Sequence, residues 1–190
     1  MSKNDIALKE DLSKLLIYSI DDDAKFEYLL LNGANINYQT TNGWSAMFQA
    51  IVSKKNMRLR NIIDLGSDVN QRDKSTKNAL FWAIYSGNIA AFNLLLSKGI
   101  SLNVFLKDKL HALHYSVYKG RLDFVKSLIK NRAVDINLCD HLEANPFLYA
   151  VLYKHKNLID FFSKNKADKY KQDIFGNSAY SLSKEYGIKI

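Results

Sequence analysis

Apolar and polar positions recur along this chain with a period of 33 or 34 residues, and each period has the pattern of two short helices and a loop. In the third period two apolar stripes stand at helical spacing, and they consist of Leu80, Ala83 and Ile84 and then Phe92, Leu95 and Leu96. Asn78 is a suitable N-cap and Gly87 a suitable stop for a helix over 79–86, and Asn88 is a suitable N-cap for a second helix over 89–98. The pattern therefore predicts a helical hairpin in each period.

Two landmarks mark this period independently of each other. The first is an asparagine that closes an apolar turn segment, at Asn37, Asn70, Asn103 and Asn137. The second is a small residue or proline, at Ala46, Ala79, Ala112, Pro146 and Ala179. Because such short helices are not stable alone, we expect the hairpins to stack and to cover one another's apolar surfaces. The asparagine side chains are predicted to satisfy backbone groups of the turns.

Three segments of the period resemble the repeat of the ankyrin family. Segment 111–114 reads His-Ala-Leu-His where the family opens with Thr-Pro-Leu-His, and segment 87–88 reads Gly-Asn where the family has Gly-His. Segment 29–37 reads Leu-Leu-Leu-Asn-Gly-Ala-Asn-Ile-Asn, which is similar to the family's closing Leu-Leu-x-x-Gly-Ala-Asp-x-Asn. The resemblance extends over nearly everything from residue 11 to residue 190. It implies an all-α fold, an ankyrin-repeat solenoid of stacked helix-turn-helix units with projecting β-turn loops.

The repeat predicts one ankyrin-repeat domain over residues 1–190. Its units are expected at 8–39 as an N-terminal cap, at 40–72, 73–105, 106–139 and 140–172, and at 173–190 as a partial C-terminal cap. The turns of the second and fifth units are less regular than the others, because Lys54, Lys154 and Lys166 stand where the family has glycine.

Composition narrows the class of protein. The chain has 190 residues, 47% of them apolar, and 27 Lys and Arg against 19 Asp and Glu, which gives a net charge of +8. This apolar content excludes a disordered chain, and no apolar run approaches the roughly eighteen residues of a membrane span. Acidic residues near the N-terminus do not fit a signal peptide, and the single Cys139 fits a reducing compartment. We therefore expect a cytoplasmic location, which includes the host cytoplasm for a secreted effector or a viral protein.

Residues that could carry out catalysis or bind a metal are few. His111 and His114 are spaced like two metal ligands on a helix, and Cys139 and His141 follow in the next loop. A structural role is favoured, because His114 matches the family's opening histidine, whose ring is implied to hydrogen-bond the loop of an adjoining unit. The acidic run at 21–23 is predicted to cap the helix that follows it rather than to form a catalytic pair. No catalytic residue, cofactor or metal site is predicted.

The resemblance also implies where a partner would bind, since ankyrin-like proteins bind with their loop tips and with the exposed side of the first helices, which line a concave groove. Projecting those positions onto this chain predicts nine partner-binding residues. They are Trp44, Arg72, Lys74, Lys77, Tyr85, Lys107, Tyr118, Lys119 and Tyr153. Large aromatic residues beside Arg and Lys match the composition of binding anchors. For Trp82 and Tyr115 the groove and packing between units remain equal alternatives.

The net charge of +8 is compatible with an acidic protein, a nucleic acid or an anionic lipid as partner. Residues 54–60 form a basic stretch, but the chain has 22 Lys and only 5 Arg, whereas nucleic-acid surfaces favour arginine. An acidic protein partner is therefore predicted, bound by a chain that is monomeric alone and acts as a regulator, an inhibitor or a microbial or viral effector. The alternatives are a self-associating scaffold segment and, as weaker ones, a nucleic-acid-binding protein and a metal or thiol enzyme.

Overall fold

The computed structural model describes residues 3–105, 110–132 and 134–190. These residues form eleven helices and two short strands, in two compact units that span residues 1–101 and 102–190. No helix in this described part is long and apolar enough to cross a membrane. The single domain and the repeat boundaries expected from the sequence stay predictions.

The first unit, residues 1–101, consists of three helix pairs. Their bounds are α1 Lys3–Tyr18, α2 Asp23–Leu31, α3 Ala46–Val52, α4 Asn56–Asp64, α5 Ala79–Ser86 and α6 Ile89–Ser97. The helices of each pair pack against each other, and α3 also packs against α1 and α5. Phe26, Phe48 and Phe92 are among the largest fully buried side chains. Each hairpin of this unit therefore covers apolar surface of the next one, as the sequence predicts.

The second unit, residues 102–190, begins with a short antiparallel ribbon in which β1, Asn103–Phe105, pairs with β2, Leu110–His111. Its helices are α7 Ala112–Tyr118, α8 Leu122–Arg132, α9 Pro146–Leu152, α10 Lys156–Lys164 and α11 Ala179–Glu185. Helix α9 packs against α7, α10 and α11. The predicted fold class, all-α with stacked helix-turn-helix units, is confirmed.

Helices α3, α5, α7, α9 and α11 each begin directly after a residue whose side chain caps the helix. The capping side chain accepts a hydrogen bond from a backbone N–H in the first turn, and these caps are Ser45, Asn78, His111, Asn145 and Ser178. Such a bond satisfies one of the N–H groups that a helix start leaves unpaired. The predicted helix over 79–86 is confirmed at both ends, and the second helix of that hairpin ends one residue earlier than predicted.

The closing asparagines connect successive hairpins within each unit. The Oδ1 atom of Asn37 accepts a hydrogen bond from Asp68 N at 2.9 Å. The Oδ1 of Asn70 accepts one from Ser101 N at 3.2 Å. The Oδ1 of Asn137 accepts one from Asp168 N at 2.8 Å. The predicted structural role of these three asparagines is confirmed, because each satisfies a backbone group of the following hairpin.

Three lysines replace glycine in the turns without changing the turn. Lys54, Lys154 and Lys166 have φ angles of 58°, 56° and 55°, beside 66° for both Gly87 and Gly120. This left-handed conformation costs a residue that carries a side chain about 1–2 kcal/mol. Packing of the surrounding hairpins therefore imposes the turn on residues that do not prefer it.

The Lys54→Gly variant is expected to be more stable than the wild type by about 0.5–1 kcal/mol. The side chain of Lys54 is exposed, so its loss costs little packing, and glycine adopts the left-handed conformation without strain. Glycine also raises the conformational entropy of the unfolded chain, which offsets only part of this stabilisation. Thermal unfolding followed by circular dichroism should show a rise in Tm of about 1–3 °C. Lys54→Ala, which keeps the strain, is the control and should show no rise. A Tm for Lys54→Gly at or below that of the wild type would contradict this account.

Candidate functional site

The first unit presents a group of aromatic side chains that we call the aromatic cluster, formed by Trp44, Phe81, Trp82 and Tyr85. The Trp44 and Trp82 rings meet edge to face with centroids 4.9 Å apart, and Trp82 meets Tyr85 at 5.7 Å. Phe81 stacks on Tyr85 at 6.4 Å, with ring planes 9° apart. Three of the four residues lie on α5, so one short helix and the loop before α3 position the whole cluster.

The members of the aromatic cluster differ in how far they are buried. Trp44 and Trp82 are half-buried, whereas 52% of Tyr85 is exposed. The Trp44 Nε1 donates a hydrogen bond to Gln49 Oε1 at 2.8 Å. The Trp82 Nε1 is buried and has no hydrogen-bond partner in the part of the chain that the structure describes. Trp82, which the sequence left open between groove and packing, packs between hairpins and keeps part of its ring in solvent.

Three basic residues predicted to bind a partner lie in or beside the loop before α5. The Lys77 Nζ stands 4.9 Å from the centroid of the Phe81 ring and 5.6 Å from that of Trp82, which is within the range of a cation–π interaction. Arg72 donates from Nη1 to the Thr76 carbonyl at 2.8 Å, and burial lowers its pKa. Lys74 is exposed at the tip. The loop therefore places positive charge next to an aromatic surface.

The second unit presents a line of three tyrosines that we call the tyrosine row, formed by Tyr118, Tyr153 and Tyr186. Each lies at the carboxyl end of a first helix, respectively α7, α9 and α11. The rings of Tyr118 and Tyr153 meet edge to face at 4.9 Å, and these residues are 46% and 42% exposed. Lysines stand over the row, with Lys119 Nζ 6.0 Å from the Tyr118 ring and Lys154 Nζ 4.7 Å from the Tyr186 ring.

The tyrosine row rests on more deeply buried aromatic neighbours. Tyr115 is only 5% exposed and stacks on Tyr118 at 6.1 Å, so packing is the outcome for this residue, which the sequence left open. Tyr149 lies 6.1 Å from Tyr153 and donates from its hydroxyl to Asp140 Oδ2 at 2.6 Å. Burial and this carboxylate raise the pKa of Tyr149. Tyr118 and Tyr153 thus lie against more deeply buried rings, of which that of Tyr149 is fixed by a hydrogen bond.

Sequence reasoning missed several members of these surfaces. Phe81, Tyr149 and Tyr186 did not stand out, and Lys154 did so only as a departure from glycine, although Tyr149 occupies the same position of the period as Trp82, which would have identified it. Of the residues it did predict, Trp44, Lys77 and Tyr85 come together in the first unit, and Tyr118, Lys119 and Tyr153 come together in the second. Lys107 lies outside the described residues. Their role in binding stays a prediction.

His111 and His114 are both part of the packing. His114 is fully buried and hydrogen-bonds through Nε2 with the Ala144 carbonyl in the following hairpin at 3.1 Å, as the family resemblance implies. His111 accepts a hydrogen bond at Nδ1 from Leu113 N as the cap of α7. Burial lowers the pKa of both rings, that of His111 to about 4. Both imidazoles are therefore neutral at pH 7.

Other residues considered for metal or thiol chemistry show no arrangement suited to it. Among the residues that the structure describes, no three or more His, Cys, Asp and Glu side chains are grouped so that they could hold a metal ion. Cys139 is exposed, and partial burial of its sulfur raises the pKa of the thiol. A raised thiol pKa lowers the thiolate fraction and with it the reactivity.

Two of the four basic side chains in the stretch at 54–60, those of Lys55 and Arg58, form ion pairs within the structure. Arg58 is 7% exposed, forms an ion pair with Asp23, and donates from Nε to the Ile20 carbonyl at 3.1 Å. Its guanidinium also lies 4.1 Å from the centroid of the Phe26 ring. A nucleic acid could reach this arginine only after those contacts were broken, which weakens the nucleic-acid alternative.

The acidic run at 21–23 pairs with the same basic stretch and also caps a helix. Asp21 Oδ1 lies 2.8 Å from Lys55 Nζ. Asp22 is the N-cap of α2 and accepts a hydrogen bond from Lys25 N at 3.0 Å. The predicted capping role of this run is confirmed.

Two models of one protein family match this chain. The model described as Ankyrin repeats (3 copies) matches residues 15–106, and the model described as Ankyrin repeats (many copies) matches residues 110–162. Together these ranges include most of both units and both aromatic surfaces except Tyr186. No curated protein matches the chain.

Proposed function

The chain belongs to the ankyrin repeat family, and on that premise we propose that it is a non-enzymatic module that binds a protein partner through the aromatic cluster and the tyrosine row. Ankyrin repeats are general protein–protein interaction modules, and the family is typically non-enzymatic. The observation that carries the proposal is the exposure of Tyr85, Tyr118 and Tyr153 at the ends of first helices whose remaining apolar residues are mostly buried.

The exposed tyrosines have the properties of binding anchors. A tyrosine buries a large area on contact and has few rotatable bonds, so that ordering it costs little free energy. Tyr85 stacks on Phe81, and Tyr118 and Tyr153 support each other, so their rings are held before a partner arrives. Such preorganisation lowers the entropy cost of association.

The partner is an acidic protein, because the charge of this chain is +8 and basic side chains accompany both surfaces. Opposite charge accelerates the encounter, while the aromatic anchors set the affinity. The chain acts as a monomer in the cytoplasm, its own or that of a host, where it serves as a regulator, an inhibitor or an effector that occupies its partner's surface.

Replacing one exposed tyrosine in each unit tests this function. The double variant Tyr85→Ala, Tyr118→Ala is expected to lose capture of the partner by at least about tenfold, since hot-spot aromatics typically contribute more than 1 kcal/mol each. Tagged wild-type and variant proteins are compared by affinity capture from a lysate, with quantitative mass spectrometry of the retained proteins. Helical circular dichroism should be unchanged, because both rings are about half-exposed.

A matched control is available in two other exposed tyrosines. Tyr18 and Tyr28 are 73% and 62% exposed on α1 and α2, outside both surfaces. Tyr18→Ala, Tyr28→Ala removes the same chemical groups and should retain the partner at the wild-type level. If the control loses the retained proteins to the same extent, or if the Tyr85 and Tyr118 variant retains all of them, the proposed binding surfaces are wrong.

A further inference from the structure

Positive charge is unevenly divided between the two units. Residues 102–190 carry 15 Lys and Arg against 9 Asp and Glu, whereas residues 1–101 carry 12 against 10. The second unit therefore holds most of the excess charge of the chain. An acidic ligand is attracted mainly to this unit.

Within the second unit, five of the eight carboxylates of the described residues lie in the loops that precede the first helices α9 and α11. Their oxygens accept hydrogen bonds from backbone N–H groups in the loops that precede these helices, as for Asp140, Asp168 and Asp173. Glu143, in the same loops, is held by the Lys171 ammonium at 2.7 Å. These contacts engage the acidic groups at the loop end, whereas Glu185, in the last turn of α11, is a carboxylate at the opposite end.

The opposite end is the tyrosine row, and it is rich in lysine. Lys119 and Lys154 stand over its rings, and Lys156 opens α10 directly beside it. Lys154 and Lys156 are exposed and form no ion pair with any carboxylate of the described residues. A cation that is already paired would have to exchange partners, whereas these two ammonium groups are available to a new carboxylate.

A cleft beside the tyrosine row has the size of one side chain and a basic lining. It has a volume of about 220 Å³ and is lined by residues 154–158 and by Gly120. The His155 ring is part of the lining and hydrogen-bonds through Nε2 with the Tyr118 carbonyl at 3.0 Å. A Cβ at residue 120 would stand 2.9 Å from that ring, so glycine lets the ring lie against the loop there. Lys154 and Lys156 at its rim suit a carboxylate.

The spacing of the row sets the length of the segment that fits it. Helices α7, α9 and α11 pack side by side in sequence, and packed helices lie about 8–10 Å apart. The rings of Tyr118 and Tyr153 lean together to 4.9 Å, but the backbones that carry Lys119 and Lys154 follow successive helices and keep this helix spacing, which an extended chain covers in about three residues at about 3.3 Å each. The distance from one hairpin to the next therefore corresponds to about three residues of an extended segment.

We propose that the tyrosine row docks an extended acidic segment of the partner protein, with carboxylates about three residues apart that meet the lysines while the intervening residues lie on the tyrosine rings. This docking rests on the proposed protein-binding function. It specifies which chemistry of the partner meets the tyrosine row, one of the two binding surfaces of this chain. A nucleic acid is the less suited occupant, because the cations over the rings of the row, among the residues that the structure describes, are lysines, which act as point charges.

Fluorescence anisotropy with synthetic probes tests the docking on the full chain. The first probe is a fluorescein-labelled nonapeptide with glutamate at positions 2, 5 and 8 in a serine–alanine background. The second has the same composition with the three glutamates adjacent, the third has glutamine in their place, and the fourth is a labelled single strand of twelve thymidines. The spaced peptide is expected to bind at least fivefold more tightly than the clustered peptide and at least tenfold more tightly than the glutamine peptide.

Matched variants locate the binding on the row. Lys154→Gln, Lys156→Gln should weaken the spaced peptide about tenfold, because two exposed contacts to carboxylates are lost. Lys126→Gln, Lys130→Gln removes the same charge from exposed positions on α8 and should change the affinity less than twofold. Circular dichroism of both variants should match that of the wild type.

Several outcomes would overturn the docking. These are equal affinity for the spaced and glutamine peptides, equal loss in the two lysine variants, tighter binding of the thymidine strand than of the spaced peptide, and no measurable binding of the spaced peptide. If any of these occurs while capture of a partner still depends on Tyr85 and Tyr118, the protein-binding function stands and only the acidic docking is lost.

Discussion

Gly43→Ala is expected to lower the free energy of unfolding by about 2–4 kcal/mol, a large loss for a single added methyl group. Gly43 has φ +75°, which costs an alanine about 1–2 kcal/mol. In addition, a Cβ would stand 2.6 Å from both Asp73 Cα and Lys74 N, which are backbone atoms and cannot turn aside. The loop must then move and break the hydrogen bond of 3.0 Å from Lys74 N to the Asn42 carbonyl.

The chain provides a control for this prediction at the same position of the period. Gly176 has φ +81°, but a Cβ there meets nothing within 4 Å. Gly176→Ala should therefore cost only the conformational part, about 1 kcal/mol. Urea unfolding followed by circular dichroism measures both variants against the wild type. Equal losses for the two variants would contradict the close approach of the two loops as the cause.

Acidification from pH 7 to pH 4 is expected to destabilise the protein by up to about 3 kcal/mol through His111 alone. Burial lowers its pKa to about 4 in the folded protein, against about 6.5 in the unfolded chain. The contribution of His111 to the free energy of unfolding is complete above about pH 6.5 and is lost as the pH falls towards 4. The reason is that His111 takes up a proton at a higher pH in the unfolded chain than in the folded protein. Burial lowers the pKa of His114 as well, which acts in the same direction.

The pH dependence can be assigned to His111 with two variants. His111→Asn keeps a side chain that can cap α7 but removes the titrating ring, so the free energy of unfolding should fall less between pH 7 and pH 4 than in the wild type. His141→Asn is the control, because that histidine is exposed in its loop, and its pH profile should follow the wild type. Urea unfolding at several pH values measures these profiles. A His111→Asn profile as steep as that of the wild type would assign the acid sensitivity to other groups.

The candidate surfaces were predicted only in part, and the reason differs from residue to residue. Tyr85 and Tyr118 followed from their position in the period, since a residue on the far side of an amphipathic helix faces solvent. The pairing of Arg58 with Asp23 did not follow, because it joins residues 35 positions apart on two different helices. Lys154 was singled out only as a departure from glycine, and its place above Tyr186 depends on how two hairpins pack.

The sequence by itself determined the architecture of this protein, because caps, helix stops and apolar stripes act over a few residues and recur in most of the periods. It located the start of α5 at Ala79 and the turn at Gly87 to the residue. Only the tertiary structure decided which aromatic residues pack and which remain exposed, as with Trp82 against Tyr85. It also decided that Lys54, Lys154 and Lys166 adopt a glycine-like turn. These outcomes depend on the fit between neighbouring hairpins, which no local pattern specifies.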